Sequence, residues 1–98
     1  MYGTVARAHV KPENREKLIE VLTRHEEVDV PGYRSMQIMF PENRENEVII
    51  AVWFEDRASY RRNAEDPAQH ERYLEYRALI EDEPEWSDGE WIEAPASA

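Results

Sequence analysis

A chain of 98 residues makes one domain, and a domain of that size buries only about two thirds of the surface its unfolded chain exposes, so a second partner surface would help it. A hydrophobic fraction of 41% and an aromatic fraction of 10% are ordinary for a folded globule and exclude a disordered acidic chain. The net charge of -10 opposes a nucleic-acid partner, and the lack of cysteine excludes a disulfide framework, a thiolate nucleophile and a Cys-based zinc site.

Neither a basic leader ahead of an apolar run nor a stretch of about 18 apolar residues is present, so a soluble, cytoplasmic protein with no membrane partner is expected. Ten of the twelve basic residues are Arg, whose planar fork suits fixed pairs with carboxylates. The acids crowd toward the end of the chain, at Glu81, Asp82, Glu83, Glu85, Asp88, Glu90 and Glu93, a solvated run that also discourages stray edge pairing.

Residues 2–10 alternate Thr4, Ala6, Ala8 and Val10 with Gly3, Val5, Arg7 and His9, which predicts a strand with one small apolar face and one carrying a cation and an imidazole. Pro12 suits the first position of a helix running to about Glu27, with Leu18, Ile19, Leu22 and His25 on its stripe and Val21 at the margin. Pro31-Gly32 ends the connection, and 33–40 alternates Arg34, Met36, Ile38 and Phe40 against Tyr33, Ser35, Gln37 and Met39 as a second strand. The polar loop PENRENE leads as a hairpin into 48–54, apolar on both faces and therefore a strand covered on both faces.

Asp56 is placed to cap a helix from Arg57. Asp66, Pro67 and Gln69 form a second, capping-box-like start, so this helix is expected to be split near residue 66. Its second part, to about Ile80, offers Tyr73, Tyr76, Arg77 and Ile80 as an inner face flanked by Leu74 and Leu79. Glu83-Pro84 stops it, 86–93 forms a last strand with a turn or bulge at Asp88-Gly89, and residues 94–98 read as a frayed tail.

The order β-α-β, β-α-β folds as a ferredoxin-like α+β domain, a four-stranded antiparallel sheet with its helices on one face. The other face stays bare. Since the third strand is apolar on both sides, that face is expected to meet its copy in a twofold homodimer, two sheets closing toward a dimeric α+β barrel.

On the segments AHVKPENREKLIEVL, PGYRSMQI and VWFEDRASYRRNAEDPAQHERY and the closing strand, the chain resembles the antibiotic biosynthesis monooxygenase family. That resemblance implies a dimeric α+β barrel in one of three versions: cofactor-free oxygenases of phenolic quinol or anthrone substrates, haem degraders, or members with no known reaction. The haem-degrading branch carries an Asn in the first strand and a Trp and a His on the second helix. Here the first strand has Arg7 and His9, and no Trp falls on the second helix, which disfavours that branch. The expected function is thus a cofactor-independent monooxygenase acting on an aromatic or quinol-like small molecule; a non-catalytic small-molecule-binding dimer of the same fold is the alternative.

Such an oxygenase needs a base, a donor or cation for the developing oxyanion, and dry aromatic walls. His70, one turn into the restarted helix, and His9 beside Arg7 on the first strand are the candidate bases, with Arg7 placed to steady an enolate. Trp53, Tyr60, Asn63 and Tyr73 are the candidate substrate-binding residues, and Trp53, Tyr60, His70 and Tyr73 are expected to line one pocket. Each also has a plain structural reading: a core or interface Trp, packed Tyr side chains, a surface His or Asn, an Arg paired across the sheet. Three scattered His residues without zincin spacing imply no metal.

Overall fold

The computed structural model describes residues 1–94. Its elements are β1 (Tyr2–His9), a 3-10 turn (Pro12–Asn14), α1 (Arg15–Glu26), β2 (Tyr33–Met39), β3 (Glu47–Phe54), α2 (Arg57–Glu65), α3 (Pro67–Arg77) and β4 (Glu85–Glu90). The strands form one antiparallel sheet in the order β2-β3-β1-β4, the ferredoxin-like arrangement that the element order implies. Of the expected tail, Ala94 is exposed and irregular, and 95–98 lie outside the described residues.

The core forms where the small face of β1 lets helices come close. Thr4, Ala6, Ala8 and Val10 are all buried, and onto them pack Leu18, Val21 and Leu22 of α1, Val48 and Ile50 of β3, and Tyr76 and Ile80. Leu18 is 0% exposed, the deepest anchor of α1. The register aligns Met36, Val52, Thr4 and Asp88 in one row across the sheet, and Ile38, Ile50, Ala6 and Trp86 in the next. These rows face the helices and become the floor of the cavity described below.

The split helix forms as its caps dictate. Asp56 Oδ1 accepts the Ser59 backbone N–H at 2.8 Å and Asp66 Oδ1 accepts that of Ala68 at 2.9 Å, with Pro67 opening α3. Gln69 does not complete a capping box; its side chain accepts from Arg72 instead. The Pro12 start yields only a 3-10 turn before α1 proper. α3 ends at Arg77, short of the expected Ile80, because Ile80 is taken up by a bridge to Val10 that ties the chain back to β1. β4 is shorter than 86–93, ending at Glu90.

A register shift between Tyr33 and Ser35 changes the expected faces of β2. Tyr33 pairs with Phe54 and joins Met36 on the helix side, where simple alternation would have placed it with Gln37 and Met39. On the opposite, helix-free side stand Val5, Ile49, Ala51 and Trp53, partly exposed, with Met39 53% exposed at one border. Trp91 lies edge-on to Trp53 there, ring centroids 5.2 Å apart.

Candidate functional site

Between the sheet and the helices lies a cavity of about 450 Å³. Its floor is Thr4, Met36, Ile50, Val52 and Phe54, its helix wall comes from α1, α2 and α3, and Trp86 and Asp88 of β4 close one side. An apolar floor with polar groups converging from the walls is how small-molecule sites are built.

The polar groups are of two kinds. Tyr60 Oη donates to Asp88 Oδ1 at 2.9 Å, tying α2 to β4, and burial followed by that carboxylate pushes the phenol up to about 12. The others have no partner: His25 Nε2, Tyr33 Oη and Tyr76 Oη are buried without a hydrogen bond, and all three residues line the cavity. Burial, then the Glu26 carboxylate, pushes Tyr33 up to about 12, and burial likewise raises Tyr76. These phenols therefore remain protonated donors at neutral pH. Leaving a buried polar group unpaired costs about 1–3 kcal/mol, and here the deficits surround one space that a polar ligand can fill.

Sequence reasoning placed His25 on the α1 stripe but gave it no functional role, as it gave none to Tyr33, Tyr76 and Arg72. His25 belongs to that stripe with Leu18 and Leu22, and the stripe faces the cavity, so a histidine amid its leucines was the available signal. Burial foremost, then the Arg72 and Arg24 cations, hold its pKa below the ordinary 6.5 and outweigh the Glu75 carboxylate, which would raise it. Glu75 Oε1 stands 3.8 Å from Nε2, too far for a hydrogen bond. The result is an imidazole that is neutral at pH 7 and able to accept a proton.

The expected site residues fall on two sides of the sheet. Tyr60, Asn63, His70 and Tyr73 line the cavity, with His70 exposed at its edge and its ring stacked toward Tyr73 at 6.4 Å. Trp53, Arg7 and His9 do not: their strand positions alternate onto the helix-free face, so the single pocket expected for Trp53, Tyr60, His70 and Tyr73 lacks Trp53. The Trp53 indole nitrogen is buried and unpartnered there. Arg7 Nε lies 3.8 Å from Glu47 Oε1, the cross-sheet carboxylate pair. His9 is engaged by a carboxylate and not poised beside a substrate. Its Nδ1 sits 2.8 Å from Asp82 Oδ2, and that hydrogen bond raises its pKa. Among the described residues no cluster of three or more His, Asp or Glu side chains is arranged to hold a metal ion, and no helix is long and apolar enough to cross a membrane.

The fold and the cavity define a ferredoxin-like α+β domain with an aromatic-walled interior site on the helix side of its sheet. The sequence model of the antibiotic biosynthesis monooxygenase family matches residues 1–78, and the chain belongs to that family. No curated protein sequence matches it. Among solved structures, a variant of SnoaB, a cofactor-independent oxygenase from Streptomyces nogalater, superposes with a TM-score of 0.80 at 18% identity, over 97% of this chain and 96% of that one. A conserved protein of Methanosarcina mazei gives 0.75 at 14% identity over 90% and 89% of the two chains. A candidate antibiotic biosynthesis monooxygenase of Caulobacter crescentus gives 0.76 at 14% identity over 94% and 90%. At these identities the likeness speaks for the fold.

Proposed function

We propose that this protein is a cofactor-independent monooxygenase that oxidises an aromatic, quinol- or anthrone-like small molecule with molecular oxygen. The observation that carries the reading is the neutral His25 imidazole, its Nε2 without a hydrogen-bond partner, on the wall of a cavity that also holds the Tyr33, Tyr60 and Tyr76 phenols and the Phe54 and Trp86 rings. The family and the likeness to SnoaB, itself a cofactor-independent oxygenase, support the same class of chemistry.

In this reading His25 Nε2 takes a proton from the acidic ring carbon of the substrate, and the charge moves onto the ring oxygen as an enolate. The Tyr33 or Tyr76 hydroxyl donates to that oxygen, satisfying a group that is otherwise unpaired. The enolate passes an electron to oxygen, and the radical pair recombines with formation of a C–O bond. The peroxide takes up the proton from His25. Loss of the second proton from the same carbon, with O–O cleavage, leaves a ketone and releases water, so that one CH2 and one O2 become one C=O and one H2O. The substrate supplies all the electrons, and the protein supplies base, donors and a site screened from water.

The helix-free sheet face, with Val5, Ile49, Ala51 and Trp53, belongs in this reading to a homodimer in which two sheets face one another, and the protein works in the cytoplasm. The deciding experiment is oxygen consumption with a panel of anthrones and quinols, comparing the protein with His25→Gln. Uptake that the substitution abolishes supports the reading. No uptake with any substrate favours a dimer that binds small molecules without transforming them.

A further inference from the structure

Arg72 differs from the arginines that pair with acids. Arg7, Arg24 and Arg44 each reach a carboxylate, whereas none of the ion pairs among the described residues includes Arg72. Its partners are two neutral amides: Nε donates to Gln69 Oε1 at 3.0 Å and Nη2 to Asn63 Oδ1 at 3.3 Å. Asn63 lies on α2 while Gln69 and Arg72 lie on α3, so the amides hold the guanidinium across the break at Asp66-Pro67.

This cation is half-buried, and it is the only Lys or Arg among the described residues that line the main cavity. The two amides fix the plane of the fork without cancelling its charge. They leave both Nη1 hydrogens and one on Nη2 to donate, the edge that a carboxylate engages with two parallel hydrogen bonds. Four acids line the two cavities that Arg72 helps to wall, and none of them forms an ion pair with it. Asp29 and Asp66 line a smaller adjoining cavity that shares Arg72 and Asn63 as a wall, and Asp66 caps α3. Glu26 and Asp88, which line the main cavity, lie beside Tyr33 and Tyr60.

We propose that Arg72, held by Asn63 and Gln69, is the specificity residue of the cavity and selects an aromatic ligand that bears a carboxylate, which docks on its free edge. The proposal rests on the reading of this cavity as the ligand site and adds the chemical class of the ligand. On a protein of net charge -10 an organic anion is repelled at long range, so an anion found in this cavity owes its place to the local cation. Arg72 also bears on the candidate base: after burial itself, its charge contributes to keeping His25 neutral. One guanidinium thus orients the ligand and helps keep the imidazole ready for a proton.

Titration calorimetry with 1-naphthoate and its uncharged counterpart 1-naphthamide tests this without oxygen turnover. The native protein is expected to bind naphthoate more tightly than naphthamide. In Arg72→Gln the naphthoate affinity falls by roughly ten- to a hundredfold, the scale of a lost hydrogen bond to a charged group, while naphthamide binds as before. Arg72→Lys, which keeps the charge and loses the fork, retains part of the preference and controls for folding. Equal affinity for the two ligands in the native protein, no binding of naphthoate, or a preference that survives Arg72→Gln overturns the proposal. A charge preference without oxygen uptake on any substrate removes the oxygenase reading and leaves the anion site standing.

Discussion

His9 and Asp82 join the end of β1 to the segment before β4 through two hydrogen bonds on one carboxylate: the His9 backbone N–H donates to Oδ1 at 2.9 Å, and Nδ1 lies 2.8 Å from Oδ2. The Glu81 N–H returns a third bond to the His9 carbonyl. The acidic run that reads as mere solvated charge in sequence thus contains the residue that fastens β1 to this segment.

This pair sets a pH dependence of stability. The hydrogen bond to Asp82 raises His9 above 6.5, so its contribution is full below that value and fades as pH rises through the raised pKa. The bond to His9 lowers Asp82 below 3.8, so its contribution is present above 3.8 and is lost as pH falls through the lowered pKa. The pair therefore stabilises most between about pH 4 and 6.5. Both side chains are about half exposed, and solvent screening keeps the effect below about 1 kcal/mol. Thermal melts of the native protein and His9→Gln should differ most near pH 5.5 and draw together as pH rises through the raised His9 pKa; a constant difference as pH rises would show that the charge does not matter.

His25→Gln should lower the rate of oxygen uptake by about a hundredfold or more, the usual share of a general base, while leaving the fold intact. In the native protein kcat/KM should rise with pH through a value below 6.5, since the free base is the active form and burial lowers its pKa. The measurement is a pH profile of initial rates; a limb centred above 6.5 would point to a different base.

Trp53→Asp should yield a monomer. The indole sits on the helix-free sheet face with its nitrogen unpartnered, and a carboxylate there would have to be desolvated between two sheets. A central aromatic of this kind contributes about 2 kcal/mol or more to an interface. Sedimentation at micromolar concentration should show a dimer for the native protein, and a native monomer would refute the dimeric barrel.

Gly32→Ala should cost about 2 kcal/mol or more. Gly32 has φ +82°, which disfavours any side chain, and an added Cβ would run into the Cβ and Oγ of Ser59, 2% exposed at the start of α2. Ser59 cannot step aside without releasing the Asp56 cap. Urea denaturation should show a lower midpoint with an unchanged slope.

The sequence by itself determined the elements, their order and hence the topology, because hydrophobic period, proline position and capping residues are local properties. Asp56 and Asp66 cap where expected, and the small face of β1 receives the helices. Tyr60, Asn63, His70 and Tyr73 were also legible as a group, since one split helix carries them all. What only the tertiary structure decided is which groups share a space. Strand alternation places Trp53, Arg7 and His9 away from the cavity, on the face opposite Thr4 and Val52, a distinction that a strand apolar on both sides conceals in sequence. The bulge in β2 brings Tyr33 to the helix side, and a one-residue shift of that kind leaves no trace in simple alternation. The lowered pKa of His25 and the carboxylate-free fork of Arg72 depend on burial and on neighbours distant in the chain, and a charge's environment exists only once the chain has folded.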